Sequence, residues 1–158
     1  MSVSSGRARS GLIQSLTCAA LLATGASAAR AQDAAEAASA PGAGRIAIEL
    51  NGAEANGPAC RLSFVVANGL AQSIDDMALE LVLFDRDGRV DRFVIVRTAK
   101  IPAGKSRVRR FDMPETACPS IARILVNDVK ECAGAGLDPS GCADSIDVTT
   151  RTDIRFEN

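Results

Sequence analysis

The chain has 158 residues, enough for one domain of ordinary size, with a formal net charge of −1 and no histidine. The missing imidazole removes the usual base for a serine or cysteine nucleophile and the commonest metal ligand, which argues against triad-type hydrolysis and against zinc. There is no Trp or Tyr and only 5 Phe, so Leu, Ile, Val and Phe must fill whatever core forms.

The N-terminus reads as a targeting segment. Arg7 and Arg9 supply a positive start, and the apolar run from Leu12 to Ala23 follows. That run has signal-peptide length and is too short to cross a bilayer core of about 30 Å. Small residues offer cleavage at Ala26-Ser27-Ala28 or at Ala29-Arg30-Ala31, and the acidic stretch after Ala31 suits a mature terminus. We therefore expect a signal peptide at 1–31 and export to the periplasm by the Sec route. The arginines are not adjacent, so the twin-arginine signature is absent. Cys18 has Thr17 where a lipobox needs Gly or Ala, so lipidation is not expected. Removing 1–31 strips three basic residues and no acidic one, leaving a mildly acidic chain of net charge −4. Residues 32–44 are Ala-, Gly- and Pro-rich without a bulky apolar side chain, which predicts a disordered linker.

Loss of Cys18 leaves Cys60, Cys118, Cys132 and Cys142, an even number that reads as disulfides in an exported chain. Four cysteines allow three connectivities. The spacing favours Cys132–Cys142, closing a short Gly/Pro-rich loop, with Cys60–Cys118 as a long-range staple. There is no C-x-x-C pair, so neither a thioredoxin-like site nor a metal site is expected, and no cofactor.

From Arg45 to the end, short apolar alternations broken by turn residues predict strands. They fall at 45–51, 60–67, 77–84, 89–98 and 106–113. A strand or a helical turn plus strand is expected at 120–129, with closing strands at 145–149 and 153–156. Asp85-Arg86-Asp87-Gly88 reads as a hairpin turn rather than a calcium loop, because an EF-hand glutamate is missing: Val96 stands at the twelfth position. Asn127-Asp128 reads as the polar end of a strand finishing at Val129. The expected fold is all-β: one disulfide-stapled, immunoglobulin-like antiparallel β-sandwich of about 7 strands over 45–158.

The runs Leu62–Asn68 and Met77–Asp85, with Asp87-Gly88 and Ile101-Pro102-Ala103-Gly104-Lys105, resemble FxLYD-type immunoglobulin-like domains of bacteria. The pattern of Asp85 to Gly88, Ile101 to Lys105, Cys118 and Arg123 to Val129 is similar to a group of alphaproteobacterial exported proteins labelled by a Tat signal. The resemblance implies an accessory envelope module and brings no catalytic residues.

The most unusual feature lies between Arg86 and Arg110, where nine basic residues accompany two acidic ones. If the strands at 89–98 and 106–113 shared a face, Arg89, Arg92, Lys105, Arg107, Arg109 and Arg110 would form a positive surface on an acidic protein. Such a face fits an envelope protein or an anionic cell-wall or lipid surface. Nucleic acid is not expected, since no aromatic residues interleave the arginines. The alternative is a solvated sheet face with cross-strand pairs to Asp85, Asp91 and Asp112. The expected function is a non-catalytic periplasmic interaction module, accessory to an envelope complex. Binding of an anionic polymer or lipid through a basic hairpin face is the alternative.

Overall fold

A computed structural model of the chain describes residues 42–158. The expected signal peptide and the linker residues up to 41 lie outside the described residues. Eight strands form two four-stranded sheets packed face to face, the sandwich that the alternating pattern predicts. In chain order they are β1 (Ile46–Asn56), β2 (Ala59–Asn68), β3 (Asp76–Phe84), β4 (Val90–Arg97), β5 (Ser106–Met113), β6 (Arg123–Ala133), β7 (Ile146–Thr150) and β8 (Arg155–Glu157). One sheet has the order β5-β2-β1-β7 and the other β4-β3-β6-β8.

Neighbouring strands are antiparallel except the two short C-terminal ones: β7 runs parallel to β1 and β8 parallel to β6. The chain reaches β7 through a one-and-a-half-turn helix, α1 (Pro139–Asp144), so it enters the first sheet in the direction of β1. A crossing over residues 151–154 then delivers β8 to the second sheet. Asp138 caps α1, its Oδ1 accepting from the Gly141 N–H at 3.0 Å, and Pro139 occupies the first turn where no donor is needed. This helix replaces the irregular loop expected between the last two cysteines.

The period of two sorts the side chains. Ile46, Ile48 and Leu50 of β1, Leu62, Phe64 and Val66 of β2, and Met77, Leu79, Leu81 and Leu83 of β3 all point inward and are buried. Phe64 sits at the centre, with ring centroids 6.1 Å from Phe111 and 5.5 Å from Phe156. The cavity between the sheets amounts to about 10 Å³, so the core is filled and leaves no room for a ligand. Disulfides join Cys60 to Cys118 and Cys132 to Cys142, the pairing favoured by the spacing. The first ties the turn after β5 to the start of β2, and the second ties α1 to the end of β6.

One local reading is corrected. Asn127-Asp128 does not end a strand: β6 runs on to Ala133, and register shifts opposite Leu79 and Leu81 absorb extra residues in its middle. Asn68, the last residue of β2, is fully buried. Its Nδ2 donates to Gln72 O at 2.9 Å and Ile101 O at 3.0 Å, and its Oδ1 accepts from Leu70 N–H at 3.0 Å. It thereby pins the β2–β3 connection to the turn before β5. In that turn Gly104 (φ +66°) donates to Asn68 O, a conformation that L side chains rarely adopt.

Candidate interaction surface

Strand β4 ends one sheet and β5 ends the other. Both edges lie on one side of the sandwich, because two arginines cross between them. Arg92, on the inward side of β4 opposite Leu83, donates from Nη1 to Pro114 O at 2.9 Å, just past the end of β5. Arg109, on the inward side of β5 opposite Phe64, donates to Thr98 O and, at 3.4 Å, to Lys100 O. Each guanidinium lays its stem along the open side of the core and supplies donors to carbonyls of the opposite sheet.

The six residues expected to make one basic face are therefore divided. Arg92 and Arg109 hold the sheets together. Arg89 lies in the turn beside Asp87, 3.4 Å away. Arg110 faces outward on β5 opposite Ser63, whereas Arg107 lies on the inward side opposite Val66, and Lys105 sits in the preceding turn. No single hairpin face forms, because β4 pairs with β3 and β5 pairs with β2. Sequence proximity placed the strands together, and the sandwich assigned them to different sheets. Among the described residues, Lys105, Arg107, Arg109 and Arg110 have no carboxylate within ion-pair distance, while Asp112 pairs with Arg61 of β2 at 2.8 Å.

The remaining charges are mostly neutralised. On the outer face of the second sheet, Arg97 of β4 bridges Asp76 of β3 and Glu131 of β6, the latter at 2.7 Å. Arg123 lies over the Phe84 ring, 3.6 Å from its centroid, and pairs with Glu157 at 3.1 Å. Asn127 donates to Glu80 at 2.6 Å. Among the described residues Asp85 has no cation partner: its Oδ1 accepts from the N–H groups of Asp87 and Arg89, closing the hairpin turn with Gly88 at φ +77°.

What the sequence reading missed is apolar. The large hydrophobic side chains exposed to solvent among the described residues are Val90 (51%), Phe93 (60%), Ile95 (54%) and Val108 (55%), three of them on β4. Phe93 lies opposite Val82, and Val82 lies opposite Leu125 of β6, so an apolar row runs inward from the edge. The apolar run Phe93–Val96 was visible, but apolar residues in a strand read as core until the sheet's position is known.

A cleft of about 460 Å³ opens at one end of the sandwich among Arg86, Cys118, Ile121, Arg151, Asp153 and Ile154. Its two guanidiniums are already occupied, Arg86 by Pro119 O and Arg151 by Glu49 at 2.9 Å. Among the described residues no group of three or more His, Cys, Asp or Glu side chains is arranged to hold a metal ion, and no helix is long and apolar enough to cross a membrane. Compared with family models, with curated proteins and with solved structures, the chain matches none.

Proposed function

We propose that this chain is a non-catalytic interaction module of the bacterial cell envelope, docking a protein through the open edge and outer face of β4. The observation that carries this reading is the row of Val90, Phe93 and Ile95 on a strand that, among the described residues, has no neighbour on one side. An edge strand offers unpaired N–H and C=O groups, and exposed alternate side chains beside it give an added strand something to pack on. The two disulfides support an oxidising, extracytoplasmic location. The test is a photo-crosslinking residue in place of Phe93 in the full chain, exported in living bacteria. A discrete crosslinked protein species is expected there, and none with the same residue in place of Thr149 on β7. Absence of any species from position 93 would sink the reading.

A second reading is favoured by one specific observation: among the described residues, Lys105, Arg107 and Arg110 near the β5 edge have no carboxylate partner. It is contact with an anionic envelope polymer or lipid. Salt-sensitive cosedimentation with cell wall or anionic vesicles, lost in Arg107→Glu/Arg110→Glu, tests it. Arg109 is left intact in that variant because it bridges the sheets.

A further inference from the structure

Resting on that reading of β4, we infer that its partner is a second copy of this chain, paired antiparallel about Val94 so that two four-stranded sheets become one continuous eight-stranded sheet. Three observations select this arrangement. The first is the hydrogen-bonding phase. Thr98 donates to Met77 O at 2.9 Å, and pairing with β3 runs in regular register from Ala78–Arg97 to Leu83–Arg92. Antiparallel alternation then turns the backbone groups of residues 92, 94, 96 and 98 toward β3, and those of Phe93, Ile95 and Arg97 toward the open edge. An antiparallel twofold partner must therefore match odd positions with odd ones.

The second observation is side-chain complementarity within that restriction. With Val94 on the twofold axis, Phe93 faces Ile95 of the second copy, and Ile95 faces its Phe93. The two most exposed side chains of the strand thus cover each other on the outer face. Asp91, the bulged residue between Val90 and Arg92 and paired with Arg92 at 2.7 Å, comes at the end of the paired segment beside Arg97 of the second copy, so no like charges are set against each other there. Sliding the partner by two residues in one direction sets Arg97 against Arg89 and Asp91 against Ile95. Sliding it the other way sets Arg97 against Phe93 and separates the apolar pair. The sequence Asp91-Arg92-Phe93-Val94-Ile95-Val96-Arg97 is thus self-complementary about its centre.

The third observation is what the other edge lacks. The same twofold pairing of β5 would bring Arg107, Arg109 and Arg110 of two copies together without an acid on that strand before Asp112. Like charges facing each other across an edge prevent pairing. Of the two edges on this side of the sandwich, self-association is therefore directed to β4.

The experiment is sedimentation of the full chain, exported and oxidised, at micromolar concentration, beside Phe93→Glu. The expected result is a dimer that falls to half its mass in the variant, with an unchanged far-ultraviolet circular dichroism spectrum because Phe93 projects into solvent. A monomeric native chain overturns the inference. Register is read from disulfide crosslinking of Phe93→Cys mixed with Ile95→Cys. The mixture should crosslink several-fold more than either variant alone, and equal yields overturn the register. The two readings fail separately. A monomer in solution whose position 93 still captures a different protein in cells sinks self-pairing and keeps β4 as the docking edge. No capture at all, of self or other, sinks both.

Discussion

Strands β4 and β5 are consecutive in the chain and lie on the same side of the sandwich, yet they present opposite chemistry to an approaching strand. β5 carries Arg107, Arg109 and Arg110 within four positions. β4 offers Val90, Phe93 and Ile95 and keeps its own arginines occupied: Arg92 reaches across to Pro114 O, and Arg97 is held by Asp76 and Glu131. The contrast teaches that a run of basic residues in sequence is not a basic surface. Of its seven arginines, Arg92 and Arg109 bridge the sheets and Arg86 and Arg97 are held by other partners, and the charge that remains concentrates near one edge. That edge is protected from pairing, and the other is left open.

The largest expected effect comes from the staple that anchors the far end of β5. Replacing Cys60 and Cys118 together by Ala should lower stability by about 4 kcal/mol, since the bridge closes a 58-residue separation. The Cys132–Cys142 bridge closes only 10, and its loss should cost about 3 kcal/mol. Urea unfolding of the two double variants checks the order. A smaller cost for the first pair would mean that the β5 side is held by its packing instead.

Adjacent arginines on β5 give a sharper test. Arg109→Met keeps the packing against Phe64 and Phe111 but removes the donors to Thr98 O and Lys100 O, and should cost about 1 kcal/mol. Arg110→Met, facing solvent, should change stability by less than about 0.5 kcal/mol. Equal losses would erase the distinction between bridging and free cations.

The edges themselves are separated by charge insertion. Measured at a concentration where the native chain is dissociated, Phe93→Glu and Arg110→Glu should each leave stability within about 0.5 kcal/mol of the native chain. Only the first should alter assembly, and only the second should weaken binding to anionic surfaces. Sedimentation and vesicle binding read the two effects.

The smallest effect concerns pH. Hydrogen bonds from Arg61 hold the Asp112 carboxyl below its usual value, as Lys130 does for Asp128 and Arg45 for Asp147. A depressed carboxylate contributes stability above its unfolded value, near 3.8 here, and loses it as pH falls through the folded value. With no histidine in the chain, the thermal midpoint should stay flat over roughly pH 5–8 and decline only on stronger acidification. Asp112→Asn should flatten part of that decline. A transition near neutrality would contradict this account.

Much of the fold was legible because strand and turn signals are local. The alternation of Ile46, Ile48 and Leu50, the apolar run of β3 and the Asp-Gly and Pro-Ala-Gly-Lys turns need only the chain's own geometry to be read. Asn68 escaped because a buried amide and an exposed one look alike until the carbonyls around it are assembled. The helix α1 escaped because its Gly and Pro read as loop, although Asp138-Pro139 is a helix start. The candidate surface was hidden for a related reason. Phe93 and Ile95 sit in the unbroken apolar run Phe93–Val96, and only the assembled sheet turns these two outward at its edge while Val94 and Val96 face the core.

The sequence by itself determined the class of protein: short alternating strands, a disulfide framework without histidine, and an apolar complement sufficient for one sandwich. These follow from local backbone preference, composition and the chemistry of each side chain taken alone. Tertiary structure decided which strands share a sheet, that β7 and β8 run parallel to their neighbours, and which cations are free. Those outcomes depend on contacts between residues distant in sequence, where packing two sheets face to face separates β4 from β5 and joins Arg109 to Thr98.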